Sequence, residues 1–508
     1  MNPLWRRALL RAALVPLVVL APLVALAPTA DHRFNVYWHG GLFRDDPLRI
    51  VPHTLDSLPG YLRAGNFRPL GRMLEKLLDL VAYTLGDVFG LPANVAFRLV
   101  SFAAAVLLCV LALVFAQSVL TRGRLFREPP STVAALLPFA AGGGLIAAGK
   151  SSPVVLFGGL YLTSAAVVLA VAAAVCRIDP DRRIRLWWVP AVLAAGAVLA
   201  VCNEIVYLAL PLATVAALAR GRWVLGLPPR RLLAAAPARV LALMWLGFLP
   251  AFVAARLVIQ GYCARGACYK GSDVAAGPAV LEAFPVRLVS WFPALMWQTA
   301  ARGRGWLGGV VLILALLVLV VLVVQAIRDL PGLSTVDRPA AAALAVSAAA
   351  LVALGAGLGS LSIDVQDIVA AGRWGQAWRD SAVTMPAGAL LLAGLAHLVR
   401  PRPVVLAGLV LLLAGTASVS AAANKRFRDK VAATPAARLD DRLAQSVAEF
   451  DPTPAGAARR CALRAEFFAM FAGTPFSLRR FDQSFNRAAQ QRAGVPFCPG
   501  VTGTEQGR

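Results

Sequence analysis

The chain has 508 residues, 59% of them hydrophobic, and a formal net charge of +24, from 50 Lys and Arg against 26 Asp and Glu; its mean hydropathy is +0.70. Soluble domains are closer to half apolar, and windows of about twenty uncharged residues, enough to cross a bilayer as a helix, recur along the whole sequence. This excludes a soluble globular class, and the lack of apolar–polar alternation in those windows excludes an outer-membrane barrel.

In a soluble protein so basic a charge would suggest nucleic acid. Here much of the Arg lies in short loops between apolar windows, where it sets orientation, so no nucleic-acid partner is expected. Arg far outnumbers Lys and Ala is abundant, the composition of a GC-rich bacterial source, which points to a bacterial cytoplasmic membrane.

The first apolar segment, 8–28, follows Arg6, Arg7 and Arg11. Its Ala-Leu-Ala near position 27 resembles a signal-peptide cleavage site, but the many later spans favour a retained anchor. Either way the next polar stretch, 31–95, lies outside the cytoplasm. Within it Leu70, Leu74, Leu77, Leu78, Val81 and Leu85 recur at helical spacing, with Arg72, Glu75, Lys76 and Asp79 on the other face. That predicts an amphipathic helix, lying in the membrane interface or packed on its own domain.

The further spans read as 96–118, 131–149, 153–176, 187–202, 204–219, 238–258, 306–327, 339–357, 382–399 and 403–423, about eleven in all. Arg122, Arg124 and Arg127, then Arg177, Arg182, Arg183 and Arg185, then Arg220, Arg222, Arg230 and Arg231, then Arg328 and Arg338, then Arg400 and Arg402 all fall on the side of the N-terminus. The positive-inside rule therefore places the N-terminus in the cytoplasm and the C-terminus outside. The expected fold is an all-α polytopic membrane protein, a transmembrane domain over 1–423 and a short extracytoplasmic tail over 424–508. The loops 31–95, 259–305 and 358–381 lie outside, with Trp291, Trp297 and Trp306 as interfacial aromatics.

Seven cysteines fit this sidedness. Cys109, Cys176 and Cys202 lie in or beside apolar windows and read as packing residues. Cys263 with Cys268, and Cys461 with Cys498, fall in external segments where disulfides form. The tail from Ala437 to Phe450 reads as helical, with no recognisable catalytic set.

No P-loop, Rossmann fingerprint or zinc motif is present, and four His make a His-rich metal site improbable. Gly142, Gly143 and Gly144 sit in an apolar window, where close helix approach explains them. The chemical candidates lie outside. Asp45 and Asp46 are adjacent carboxylates that can act as a general base or hold a divalent cation through oxygen; a solvated turn before Pro47 is the plainer reading. Arg68 can grip a phosphate in a fork or snorkel at the interface. Glu204 lies between two apolar windows, a costly place for a charge and so a functional candidate, or a helix-start acid with Asn203 as cap. Lys150 marks an external turn, as an interfacial anchor or a substrate contact. Asp364, Asp367, Arg373, Arg379 and Asp380 decorate the 358–381 loop, where an Arg can meet a phosphate.

Together the N-terminal span, the external loop with its acid pair, the Arg-Pro-Leu step and the interfacial helix resemble the GT-C membrane glycosyltransferases, in particular their protein O-mannosyltransferase-like branch. The matching residues are Asp45, Asp46, Phe67, Arg68, Pro69 and Leu70. LPANVAFRLVSFAAAVLLCVLALVFA resembles the next segment in that branch, and AVCNEIVYLALPL resembles its KE…LP segment, with Glu204 and Pro211 matching and Asn203 replacing the usual Lys. WRDSAVTMPAGALLLAGL is faintly similar to an ER…LP.G segment, with Asp380 in the place of its acid and Ser381 departing at the Arg. The likeness covers the first 220 residues and a piece near 380; the family's soluble C-terminal repeats are absent.

The resemblance implies a GT-C-like arrangement and a sugar donor on a polyprenyl phosphate or diphosphate, with the lipid bilayer as a partner. It implies Asp45 or Asp46 as base or cation ligand near a glycan, lipid or protein acceptor, and Arg68 on the donor phosphate. Glu204 is expected behind the loop, so that Asp45, Asp46, Arg68 and Glu204 converge on one cavity. A transporter or flippase, expected to show broken helices and charges within spans, and a noncatalytic scaffold are the alternatives.

Overall fold

Among the described residues helices make up 77% and no strand forms; in the computed structural model these residues are 1–28, 31–265, 274–300, 309–399 and 401–500. Helix α1 (Pro3–Leu20) opens under an Asn2 cap. The first loop folds as α2 (His32–Phe43), α3 (Ile50–Asp56), α4 (Leu58–Arg63) and α5 (Pro69–Phe89). Then come α6 (Ala93–Leu120), α7 (Val133–Gly143), α8 (Gly158–Cys176), α9 (Val189–Ala200), α10 (Ala209–Ala219), α11 (Pro229–Ala234) and α12 (Ala236–Cys263). After α13 (Pro278–Val289) and α14 (Pro293–Ala300) come α15 (Val310–Asp329), α16 (Arg338–Ser360), α17 (Ile363–Ala370), α18 (Ser381–Leu398) and α19 (Pro403–Ala432). The tail forms α20 (Pro435–Ala448), α21 (Pro454–Met470) and α22 (Pro475–Ala493).

Among the described residues, eight helices are long and apolar enough to cross a membrane: α6, α8, the Glu204–Val224 segment around α10, α12, α15, α16, α18 and α19. The pair α13 and α14, bent by 100°, adds a ninth if it counts as one span. Length and composition therefore give eight or nine spans where the hydropathy windows suggest about eleven. The difference lies in three segments. Helix α1 carries three arginines in 18 residues, α7 is 11 residues long and stops at its glycines, and α9 is 12 residues long. The exposed side chains of α15 include Val310, Ile313, Leu314, Leu317, Val320 and Val321, an apolar face that belongs against lipid. These are the helices of a multi-pass membrane protein.

One continuous core joins α1, α6, α7, α8, α10, α16, α18 and α19. Helix α1 is central to it: Trp5, Ala8, Ala12, Val15 and Val19 are buried. Gly142 permits its approach, because a Cβ there would stand 2.6 Å from a Val15 methyl. Cys109 and Cys176 are buried, as their packing reading requires.

The connections fall into two groups that bond within themselves. In the first, Trp5 donates to Glu128 O, Arg177 to Thr121 O and Gly123 O, Thr132 N to Ser334 O, and Ala236 N to Pro180 O. In the second, Ala377 N donates to Ala148 O, Ala275 N to Leu361 O, and Leu70 N to Val201 O. Arg98, wholly buried, clamps the carbonyls of Leu26, Ala27 and Val155 in that second group.

The tail is not a separate unit. Helix α22 lies along α2, and Phe34, Tyr37, Tyr83, Phe467, Phe481, Phe485 and Phe497 share one buried cluster. Arg33 meets Asp440 at 2.8 Å. The Cys461–Cys498 disulfide forms as expected; Cys268, the expected partner of Cys263, and Trp306 lie outside the described residues. First loop and tail thus build one helical cap.

Helix α5 turns its faces opposite to a water-facing amphipathic helix. Its charged side, Glu75, Lys76 and Asp79, is 3%, 2% and 1% exposed, while Leu77 and Val81 are 48% and 40% exposed. The buried polar side meets α2 and α3, and the open apolar side suits an interface with lipid.

Candidate functional site

The N-terminus of α5 is docked on the turn before α10. Pro69 occupies its first helical position, where no N–H is needed. Leu70 N and Gly71 N donate to the carbonyls of Val201 and Cys202 at 3.2 and 3.1 Å. Gly71 is required there, since a Cβ would collide with the Cys202 carbonyl oxygen. Asn203 caps the Glu204–Leu208 turn by accepting from Ile205 N at 3.0 Å.

This docking brings Arg68 to Glu204 across 136 residues of sequence. Arg68 Nη1 lies 3.1 Å from Glu204 Oε2, with the Arg68 side chain 10% and the Glu204 side chain 37% exposed. Arg379 and Arg256 also act electrostatically on Glu204. The Arg379 guanidinium sits 5.9 Å from the ring centre of Tyr161 and 5.2 Å from that of Trp378. The Arg256 guanidinium sits 5.5 Å from the Tyr207 ring centre. Glu204 thus pairs with Arg68 and lies in the positive field of two further guanidinium groups, each beside aromatic rings. Arg256 is absent from the sequence candidates; the signal for it was an Arg inside the apolar window 238–258.

A second polar layer lies one turn along α5. Glu75 accepts from Arg72 Nη1 at 2.8 Å and from Asn35 Nδ2 at 3.1 Å. Burial alone would raise the Glu75 pKa, but Arg72, helped by His39 and Arg68, holds the carboxyl below the usual range. Asp79 faces His39 Nδ1 at 2.7 Å and His32 Nδ1 at 3.6 Å. Burial again pushes up, and bonds to the two imidazoles outweigh it. Lys76 donates to Thr54 Oγ1 at 2.8 Å; burial, with Arg72 adding and Glu75 opposing, pulls its pKa down to about 8.

The other expected site residues lie apart from this cluster in the bonds of the described residues. Asp45 and Asp46 are exposed, and Asp45 Oδ1 accepts from Gln491 Nε2 of α22 at 3.1 Å. No hydrogen bond or ion pair among the described residues joins either of them to Arg68 or Glu204. Lys150 and Arg373 are exposed on turns. Asp380 is a structural anchor: Arg287 of α13 grips it with Nη2 at 2.6 Å and Nε at 2.9 Å, both side chains 1% exposed. Among the described residues no group of three or more His, Cys, Asp or Glu is placed to hold a metal ion, so a divalent cation would rest on Asp45 and Asp46. Trp297 donates to Ser420 Oγ at 3.0 Å and belongs to helix contacts.

Comparison with protein-family models, curated proteins and solved structures finds no match to this chain.

Proposed function

We propose that the protein is a membrane glycosyltransferase of GT-C type, moving a sugar from a polyprenyl-phosphate-linked donor to an acceptor at the outer face of a bacterial cytoplasmic membrane. The observation that carries this reading is the Arg68–Glu204 pair, with the positive charges of Arg256 and Arg379 acting on the same carboxylate. Such an array suits a phosphate at a lipid boundary, because guanidinium groups bind phosphate oxygens in a fork and are weakly hydrated. The two groups of connections support about eleven crossings, with α1, α7 and α9 as the short or charged ones. The Arg-rich group is then cytoplasmic and the cap external. Asp45 and Asp46 remain the proposed acceptor base or cation ligands.

The test offers a panel of polyprenyl-phosphate sugars to the purified protein in nanodiscs and tracks donor turnover. Turnover that falls at least about tenfold in Arg68→Ala and Arg256→Ala, a loss of about 1.4 kcal/mol, supports the reading. Turnover unchanged in both variants, or absent with every donor, rejects it. The noncatalytic scaffold is the second reading, favoured by the exposure of Asp45 and its bond to Gln491; it predicts no turnover with an intact fold. The bent pair α13 and α14, and Arg98 and Arg256 within spans, are features that lean toward a transporter.

A further inference from the structure

The connection between α8 and α9 frames a groove of about 810 Å³. Its lining includes Arg182, Arg183, Arg185, Trp187, Trp188 and Val240. Helix α8 is a span that ends at Cys176, and α12 is a span that begins at Ala236. Ala236 N donates to Pro180 O at 2.9 Å, so the groove lies where two spans reach the membrane surface, within the first group of connections. Helices α9 and α12 pack closely: a Cβ on Gly196 would collide with Met244 O, and one on Gly247 with Leu193 O. Helix α12 nonetheless leaves Leu246, Leu249, Val253 and Leu257 exposed, an apolar stripe suited to lipid chains.

The cations of this groove are uncommitted. Elsewhere in the same group of connections, Arg177 and Arg220 donate to Thr121 O at 3.3 and 3.1 Å, and Arg7 and Arg11 pair with Asp329. Arg182, Arg183 and Arg185 are exposed and make no ion pair or side-chain hydrogen bond among the described residues. Arg239 adds a fourth guanidinium beside them, donating to Arg182 O at 3.5 Å. The acids of the turn, Asp179 and Asp181, are outside the groove lining, and Asp179 Oδ1 accepts from Asp181 N at 3.0 Å. Trp187 and Trp188 stack with ring centres 4.6 Å apart and are 64% and 44% exposed. Indoles so exposed at the end of a span belong at the level of lipid headgroups.

We propose that this groove binds an anionic phospholipid, with its phosphate on Arg182, Arg183 and Arg185 and its acyl chains passing the two indoles onto α12. Charge and lining together select a lipid. Guanidinium groups take phosphate oxygens in a fork, whereas a soluble phosphate would leave Trp187, Trp188 and Val240 in water. Three cations without partners favour a headgroup of net negative charge over a zwitterionic one, because no headgroup ammonium then opposes them. The groove shares no lining residue with the Arg68–Glu204 cluster, and the inference stands independently of the donor reading.

The experiment titrates the delipidated full chain in detergent with phosphatidylglycerol and phosphatidylcholine of matched acyl chains, and counts bound lipid by native mass spectrometry. Wild-type protein is expected to hold phosphatidylglycerol at least about tenfold more tightly. The triple variant Arg182→Gln, Arg183→Gln and Arg185→Gln should bring the two lipids within about twofold of each other. Trp187→Ala with Trp188→Ala should weaken both lipids and keep the preference. Arg328→Gln with Arg338→Gln, exposed arginines of the same group of connections outside the groove, should leave the preference intact. An unchanged melting temperature in the triple variant shows that the bundle is intact, and the tryptophan pair reads the same groove with every arginine in place. Equal wild-type affinities, or a triple variant that keeps the preference, overturn the inference. Loss of the preference in the Arg328 and Arg338 control also overturns it, since diffuse charge would then replace a site. Displacement of phosphatidylglycerol by inorganic phosphate overturns the choice of a lipid.

Discussion

Arg287→Leu should unlock α13 from α18. The change removes the guanidinium that gives the Asp380 carboxylate two bonds, at 2.6 and 2.9 Å, and that also donates to Gln376 O at 2.9 Å and Ser381 Oγ at 3.2 Å. With both side chains 1% exposed, solvent cannot replace the lost partner. Breaking a buried pair from one side costs about 3–5 kcal/mol, because a charge stays buried without compensation. The double variant Arg287→Leu with Asp380→Asn removes that charge and should recover more than half of the loss. Reversible denaturation in mixed micelles, monitored by tryptophan fluorescence, reads the effect, since Trp291 and Trp378 lie within four residues of the pair. A loss below about 1 kcal/mol, in the range of an exposed pair, would refute the anchoring role and reopen Asp380 as a site acid.

Three further outcomes are expected. Cys461→Ser with Cys498→Ser opens a loop of 37 residues and should cost about 3–4 kcal/mol by chain entropy, seen as faster proteolysis of the tail. Asp440 is pushed up to about 7 by burial, with Arg33 opposing. Its folded pKa lies above the unfolded value, so the folded state holds more protons between about pH 4 and pH 7, and stability should rise as pH falls through that window. Asp440→Asn should flatten the slope, and an unaltered slope would assign it to other groups. Asp45→Asn with Asp46→Asn should change stability by less than about 0.5 kcal/mol, as exposed positions do, so that a loss of sugar transfer in that variant measures chemistry alone.

The fold class was legible because it depends on composition over long windows. Uncharged stretches in α6, α15 and α16 have few alternatives to spanning helices. Span number was less legible where a window held arginines or glycines, as at Arg6, Arg7 and Arg11 in α1 and at Gly142 to Gly144 at the end of α7. Arg7 and Arg11 both turn to Asp329, at 2.6 and 2.5 Å, a partner more than 300 residues away. Helix α5 shows the same limit in another form. Its two faces were visible as a period, but which face is buried depends on His39, Asn35 and Thr54 being there to satisfy Asp79, Glu75 and Lys76.

For the candidate site, the sequence singled out Glu204 because a charge beside apolar windows is costly and needs a reason, and Arg68 and Arg379 because a guanidinium can meet a phosphate. Adjacency ranked Asp45 and Asp46 highest, and the structure places both in an exposed turn, with Asp45 accepting from Gln491. Arg256 and Arg72 gain their meaning from position. The sequence by itself determined a helical membrane protein with a basic excess and a polar first loop, since those arise from transfer free energies summed along the chain. Only the tertiary structure decided that the first loop and the tail form one cap, and that Arg68 pairs with Glu204 from 136 residues away. Ion pairing acts over a few ångströms of space, and separation along the chain carries no record of it.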